Sequence, residues 1–474
     1  MSNQLTKADA ARKRTVKNPD SLLAALTNGG PIVWLSCIIM GLGNIVAGQF
    51  VTGLLWLAIE VFVICALGVP YLRDVSGNNA YSGIEWLKML PSLGDVEDTE
   101  KWNENDFVFE YVLGDRSYMI LLYSVLFIGI IILFAVMWRA SVRSGYKALS
   151  IRKAGKKAPT FIQDVKSLFD ENIHKLLMPV PFMGIVVFTI VPLVYMMCMA
   201  FTNYSDVGNK TKLFDWVGFD TFKMLFDGDS VIGQQFWSVL GWTLVWAFFA
   251  TFLNFFFGTF VAMMINRPST KIKGFWRTVL SLTIAVPQFV SLMLINKMFT
   301  STGVVNTMLQ EAGWISKAIP FWADQNLARV MVIVINLWVG IPYTVMQVTG
   351  ILKNIPADLY EAARIDGANV VQQFMNITLP YMIFVMTPYI ITSFTGNINN
   401  FNVIFLLTGG GPFSLEGSAG KTDLLVTWLY RLSMERYEYN LAAVIGIFTF
   451  IVLAIVSLIT YRSSGSYKDE EGFK

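Results

Sequence analysis

Stretches of about 20 mostly apolar residues, each enough to carry a helix across the hydrocarbon core of a bilayer, recur along this chain. Residues 51–72, 118–138, 176–201, 239–265, 279–299, 328–352 and 441–461 all have that length and character. Residues 379–401 form an eighth, weaker stretch because its second half is rich in asparagine. Only 15% of the 474 residues are charged and 54% are hydrophobic, whereas a soluble domain carries about 25% charged residues. That deficit leaves too little polar surface for a water-soluble particle, so most of the chain belongs in lipid. The expected class is an all-α polytopic membrane protein of about eight spans.

The remaining polar chemistry is sparse. Cys37, Cys65 and Cys198 all lie in apolar runs and read as small buried or lipid-facing residues, not as a disulfide framework. His174 is the single histidine and cannot build a metal site alone. A net charge of +3 is too small to suggest nucleic acid as a partner. Some thirty mostly polar residues precede the first apolar run, so no cleavable signal peptide is expected and the first span serves for insertion.

Lysine and arginine bias predicts orientation. Residues 139–175 hold Arg139, Arg143, Lys147, Arg152, Lys153, Lys156 and Lys157, and a second basic group comprises Arg267, Lys271, Lys273 and Arg277. Both are expected in the cytoplasm, as is the basic N-terminal tail, residues 1–30. Residues 73–116 carry Asp95, Glu97, Asp98, Glu100, Glu104 and Asp106, are expected outside, and read as a solvated loop in preference to a folded cap. An inside tail and an outside acidic loop need an odd number of crossings between them. The extra apolar run 31–49, interrupted by Gly41, Gly43 and Gly48, therefore reads as an interfacial or re-entrant segment, with a ninth span as the alternative. Both termini then fall inside.

Between the spans 328–352 and 379–401, Glu361-Ala362-Ala363, three residues, Gly367, nine residues, Ile377, one residue, Leu379-Pro380 form a fixed pattern. Average residue usage puts a chance match on the order of 10⁻⁸ per window. Pro356 suits the first turn of a helix, and Asp358 and Glu361 bring negative charge to its positive end. Ala362 and Ala363 are small, strong helix formers that allow close approach to a partner. Gly367 permits a sharp turn into a second short helix, 368–376, and Pro380 then opens the next span.

This pattern resembles the coupling loop of binding-protein-dependent ABC importers. Over residues 176–461 the chain is similar to the larger transmembrane subunit of the maltose/maltodextrin importers. The runs that carry this likeness are Ala200–Ser205, Asn336–Tyr343, Ser393–Phe401 and Leu406–Pro412. The resemblance implies a type I importer permease fold, with a permease core at 176–462, the coupling loop at 353–378, an N-terminal membrane region at 31–175 and a cytoplasmic tail at 463–474. It implies a homologous second permease subunit, two ATPase subunits and an extracytoplasmic sugar-binding protein as partners. Glu361, Ala362, Ala363 and Gly367 would engage the ATPase. ATP and magnesium would sit on those partner subunits, leaving this chain with no cofactor. The segment Gly417–Thr422 resembles a phosphate loop but has Leu415 where a glycine is required, and it falls on the expected outer face.

Uncharged hydrogen-bonding groups interleaved with small residues suit a sugar. At 100° per residue Ser393, Asn397 and Asn400 are expected on one helical face. Asn336 and Tyr343 lie two turns apart with Gly340 opening space between them, and Gln288 follows Pro287 in the span before. The resemblance assigns all seven residues to an oligosaccharide pocket halfway through the membrane. It also marks two departures, Gly396 and Ile284, where the family has aromatic rings. Glu60 is the exceptional charge within a span and reads as a helix–helix contact outside the transport core. Another sugar or glycerol phosphate as cargo is the nearest rival, although glycerol phosphate would call for a cation in the pocket. An ion-coupled secondary transporter is the distant rival, since it leaves the Glu361–Pro380 pattern without a purpose.

Overall fold

The computed structural model describes residues 21–73, 80–103, 108–112, 114–170, 173–207, 210–267, 269–415 and 417–463. The tails at 1–20 and 464–474, with their expected cytoplasmic placement, and Glu104 and Asp106 of the acidic segment lie outside the described residues. Seven described helices have the length and apolarity of a membrane span, or eight spans if one sharply bent pair is counted as one. The chain divides into two compact units, residues 1–204 with 209–216, and residues 205–208 with 217–474.

In the first unit, α1 (Pro31–Ser36) and α2 (Leu42–Val46) are short, and α3 (Phe50–Gly68) is the first helix of spanning length. The run 31–49 is thus a broken segment and too short in either half to span. Breaking a helix leaves backbone N–H groups without carbonyl partners, which is costly in an apolar medium. Here side chains replace those partners. The Glu60 carboxyl of α3 accepts the Met40 N–H at 2.8 Å, Ser141 Oγ accepts the Gly41 N–H at 3.1 Å, and Ser36 Oγ accepts the Gly43 N–H at 2.8 Å. Glu60 is buried and ties α3 to the break between α1 and α2.

Two short strand pairs and a helix, α4 (Gly83–Met89), occupy the acidic segment. Contrary to the expectation of a solvated loop, it folds into a cap. Trp86 and Leu93 are buried and share a core with Phe127 and Phe214, while Ser82 and Glu85 cap α4 reciprocally. Apolar anchors placed among acidic residues supply a core that charge counting overlooks. α5 (Ser117–Lys153) is 37 residues long, about 55 Å at 1.5 Å per residue. The basic residues from Arg139 to Lys153, expected in a loop, are instead a helical continuation of the span. α6 (Pro179–Met199) completes the unit.

The second unit contains α7 (Val231–Asn266), the bent pair α8 (Lys273–Ala285) and α9 (Gln288–Met298), then α10 (Gln325–Leu352). α11 (Ala357–Ile365), α12 (Val370–Ile398), α13 (Phe401–Thr408), α14 (Leu425–Met434) and α15 (Tyr439–Arg462) follow. The apolar stretch expected as a span at 279–299 is not one straight helix: α8 and α9 meet at 87°. Val286 precedes Pro287 and is forced out of the helical region, with ψ at 126°. At Pro192 and Pro380 the outcome differs. A π-helical turn, Val186–Ile190 in one case and Phe374–Thr378 in the other, lies just ahead of the proline and the helix continues. The widened turn makes room for a ring that would otherwise strike the preceding carbonyl. Pro380 therefore sits inside a helix that began at Val370, and does not start a new one. The short helix expected over 368–376 is the foot of the span.

The loop between α13 and α14 is tied by a buried ion pair. Asp423 is fully buried and accepts from Arg431 Nη1 at 2.7 Å, the Gly420 N–H at 2.7 Å and Thr427 Oγ1 at 2.9 Å. Burial pushes the Asp423 carboxyl above its usual range, with Arg431 pulling the other way. The phosphate-loop-like residues are consumed by this tie: Gly420 donates to Asp423, and the Thr422 hydroxyl donates to the Gly411 carbonyl at 2.6 Å.

Two outcomes follow from these contacts. Glu60→Leu is expected to lower the thermal midpoint of the purified protein in detergent, since a buried N–H left unpaired costs about 1–3 kcal/mol, while Glu60→Gln, which keeps an acceptor, stays near wild type. Asp423→Ala is expected to cost about 3–5 kcal/mol by removing the buried carboxylate that faces Arg431 and leaving it only the exposed Glu435 at 3.2 Å, and pairing it with Arg431→Met is expected to recover part of that loss in the same melt.

Candidate functional site

The break between α8 and α9 opens a cavity of about 330 Å³. Gln288, the first residue of α9, and Tyr343 of α10 line it together, with Thr283 and Ser291 adding hydroxyls and Trp338 an aromatic face. Tyr343 is 49% and Trp338 59% exposed, so both rings present area to whatever enters. The lining contains no lysine, arginine or carboxylate. Hydroxyls, one amide and two large rings offer bonds to an uncharged polyol and stacking for its apolar faces. Ile284 lines the same cavity, and a Cβ added at Gly396 would meet nothing within 4 Å. The space an aromatic would have taken at Gly396 is open.

The other expected pocket residues are placed differently. Gly340 does not open space: a Cβ there would lie 2.3 Å from the Asn254 side chain of α7. The glycine admits the facing helix, as Gly258 does against Thr344, in the small-residue packing that lets membrane helices approach closely. Asn336 is buried one turn earlier, its Nδ2 without a hydrogen-bond partner among the described residues, and Asn254 Oδ1 likewise has none among them. Asn397 donates to Thr251 Oγ1 at 3.0 Å and its carbonyl accepts from Trp246 Nε1 at 3.0 Å. Asn400 does not share a helical face with Ser393 and Asn397, because α12 ends at Ile398. Its Oδ1 instead accepts the Val403 N–H and caps α13, while its Nδ2 donates to Asn397 at 3.3 Å. Ser393 is half-buried. Gln288 and Tyr343 thus meet in one cavity, and Asn336, Gly340, Asn397 and Asn400 are held in helix packing. Trp338 was missed by the sequence reading. Its signal was present: a tryptophan at the midpoint of a 28-residue span lies far from the interfacial belts where membrane tryptophans gather.

At the other end of α12 the coupling pattern forms a helix–turn–helix. Pro356 is the N-cap of α11, Asp358 occupies its first turn and Arg364 its last. Gly367 has φ at +77°, a left-handed conformation that glycine adopts without strain. Asn369 and Gln372 then cap the start of α12 reciprocally. Glu361, Ala362 and Gly367 are exposed and Ala363 is half-buried. Leu359 and Ile365 are 48% and 86% exposed, so α11 carries two large apolar side chains, on different sides of the helix, that the described residues leave uncovered.

Residues 254–465 match the family described as binding-protein-dependent transport system inner membrane component. The chain is 34% identical over 412 residues to the galactooligosaccharides transport system permease protein of Bacillus subtilis, covering 84% of this chain and 98% of that one. It is 31% identical to the maltodextrin transport system permease protein of the same organism, over 92% of this chain and 96% of that one. The maltose/maltodextrin transport system permease protein of Vibrio vulnificus is 38% identical over 253 residues, 52% of this chain and 48% of its own length. A solved bacterial ABC transporter that imports alginate superposes with a TM-score of 0.53 at 24% identity, covering 63% of this chain and 96% of that one. That likeness extends to the fold.

The contact of Gly340 with Asn254 is testable by a double-mutant cycle. Gly340→Ala is expected to destabilise by about 1–3 kcal/mol through overpacking, and Asn254→Ala in the same chain to relieve most of that loss. Thermal unfolding of the four proteins measures the coupling; strictly additive effects would show that the two positions do not touch.

Proposed function

The chain belongs to the binding-protein-dependent transport permeases, the membrane-spanning components of ABC importers, and on that footing we propose that it admits neutral oligosaccharides of the maltodextrin type to the cell. The observation that carries this reading is one continuous helix. α12 is 29 residues long, about 43 Å at 1.5 Å per residue. Its foot is the exposed turn after α11 and its far end holds Asn397. A partner that grips α11 therefore moves a rigid rod that ends among the candidate sugar ligands.

In this reading one of two ATPase subunits seats α11, with Glu361 as the charged contact and Ala362 and Ala363 allowing close approach. A homologous second permease completes the translocation path through the cytoplasmic membrane. ATP and magnesium belong to the ATPase subunits, and this chain performs no covalent chemistry. ATP binding closes the ATPase pair, swings the coupling loops together and opens the path outward. An extracytoplasmic binding protein then releases sugar, and hydrolysis restores the inward-facing state. Gln288, Trp338 and Tyr343 meet the sugar in the cavity at the α8–α9 break, where one ring stacks and the amide and hydroxyls bond. Asn336, Asn397 and Asn400, with Ser393 and Gly340, shape the same path from helix contacts that rearrange during the cycle. An uncharged lining supports a neutral cargo over glycerol phosphate. A galactooligosaccharide is the second reading, supported by the 34% identity over 84% of the chain.

Uptake of labelled maltotriose by vesicles holding the assembled complex tests the assignment. Trp338→Ala is expected to reduce uptake about tenfold, the equivalent of about 1.4 kcal/mol of lost stacking, with the ATPase still attached. Glu361→Lys is expected to abolish uptake and to lose the ATPase on purification. Competition by a galactooligosaccharide but not by maltodextrins would keep the importer and discard the maltodextrin assignment.

A further inference from the structure

A groove of about 420 Å³ lies between the end of α7 and the start of α12, separate from the cavity at the α8–α9 break. One wall is a ridge on α7: Phe256, Phe260 and Met264, spaced by four residues, are 63%, 51% and 50% exposed. The opposite wall is Val370 and Val371, at 66% and 68%. Five large apolar side chains in one concave place stay uncovered by the other described residues. Arg267, where α7 ends, stands in the lining, exposed, and its guanidinium makes no hydrogen bond or ion pair to any described residue. No carboxylate lines the groove.

The position of these groups along α7 decides what fits. The apolar run of α7 ends at Asn266, and the next residue is this free cation. A surface that is apolar up to one level and cationic just beyond it matches the boundary between hydrocarbon and headgroups. The following residues keep the sign: Lys271 is exposed, while Lys273 and Arg277 hold the end of α7 through Asn266. A protein helix docking here would bury Arg267 and would have to bring its own carboxylate. A lipid brings both parts already joined, a flexible chain that fills an irregular groove and an anion at the right height. We propose that this groove is a binding site for an anionic phospholipid, one acyl chain lying between the α7 ridge and Val371 and the phosphate held by Arg267.

Tyr360 of α11 also lines the groove, and its hydroxyl is 2.8 Å from Thr378 Oγ1 at the foot of α12. A bound chain would therefore bridge α7 to the coupling loop and steady that loop for its partner. This consequence for transport rests on the importer reading; the binding does not.

The test uses the assembled complex in lipid nanodiscs with a photoactivatable phosphatidylglycerol carrying a diazirine in mid-chain, and maps labelled peptides by mass spectrometry. Labelling is expected to concentrate on peptides from 255–264 and 370–374, and to be competed by phosphatidylglycerol better than by phosphatidylcholine. Val371→Trp, which fills the groove, is expected to reduce that labelling at least about fivefold. Arg267→Gln is expected to remove the headgroup preference, about fivefold for one basic residue near an anionic phosphate, and to leave chain labelling in place. Labelling of the groove no denser than on the exposed face of α6 would overturn the proposal. So would absent labelling together with a cross-link from a cysteine placed at 371 to another subunit, which would make the groove a protein contact. Comparing uptake in phosphatidylglycerol and phosphatidylcholine vesicles then reads the consequence separately, so loss of the importer reading leaves the labelling result standing.

Discussion

The breaks and π turns described in these helices answer to one constraint, that backbone N–H and C=O groups in lipid must find partners within the protein. Where α1 gives way to α2, the unpaired N–H groups of Met40, Gly41 and Gly43 are met by Glu60, Ser141 and Ser36. The glutamate is kept in a span because it completes a break that the sequence of glycines makes necessary. Pro192 and Pro380 are accommodated by π turns. At Pro287 the helix divides, and the space so created becomes the best-formed polar cavity among the candidate sugar ligands. The same requirement that holds the fold together thus selects where a polar solute can be received.

Function in this arrangement depends on stiffness over distance. Gly367 supplies a sharp turn between α11 and α12, and beyond it the helix continues to Ile398 through the π turn ahead of Pro380. The packing of α7 against α10 through Gly258 and Gly340 brings two long helices close enough that neither can tilt alone. Small residues set the approach distance, and the bulky rings at Trp338 and Tyr343 are left to the cavity. The groove beside Tyr360 adds a point at which the surrounding lipid touches the moving loop.

The spans were legible because twenty apolar residues leave a chain few alternatives, and the coupling loop was legible because its residue types recur at fixed spacing. The errors have physical causes. Residues 279–299 look uniformly apolar, so hydropathy joined two helices that Val286 and Pro287 separate. Asn400 was placed by extending a 100° periodicity beyond Ile398, where the helix stops. The acidic segment was taken as solvated because charge was counted without asking what Trp86 and Leu93 would bury.

The amino-acid sequence by itself determined the membrane class, the apolar stretches, the coupling loop and the membership of a transport family, since each rests on length, composition or local spacing. Only the tertiary structure decided which polar residues are free to meet a solute. Asn336, Gly340, Asn397 and Gln288 look alike as a list of candidates. Gly340 faces Asn254, Asn397 faces Thr251, and Gln288 faces open space, because what a side chain in a helix touches depends on the neighbouring helix, which its own stretch of sequence does not contain.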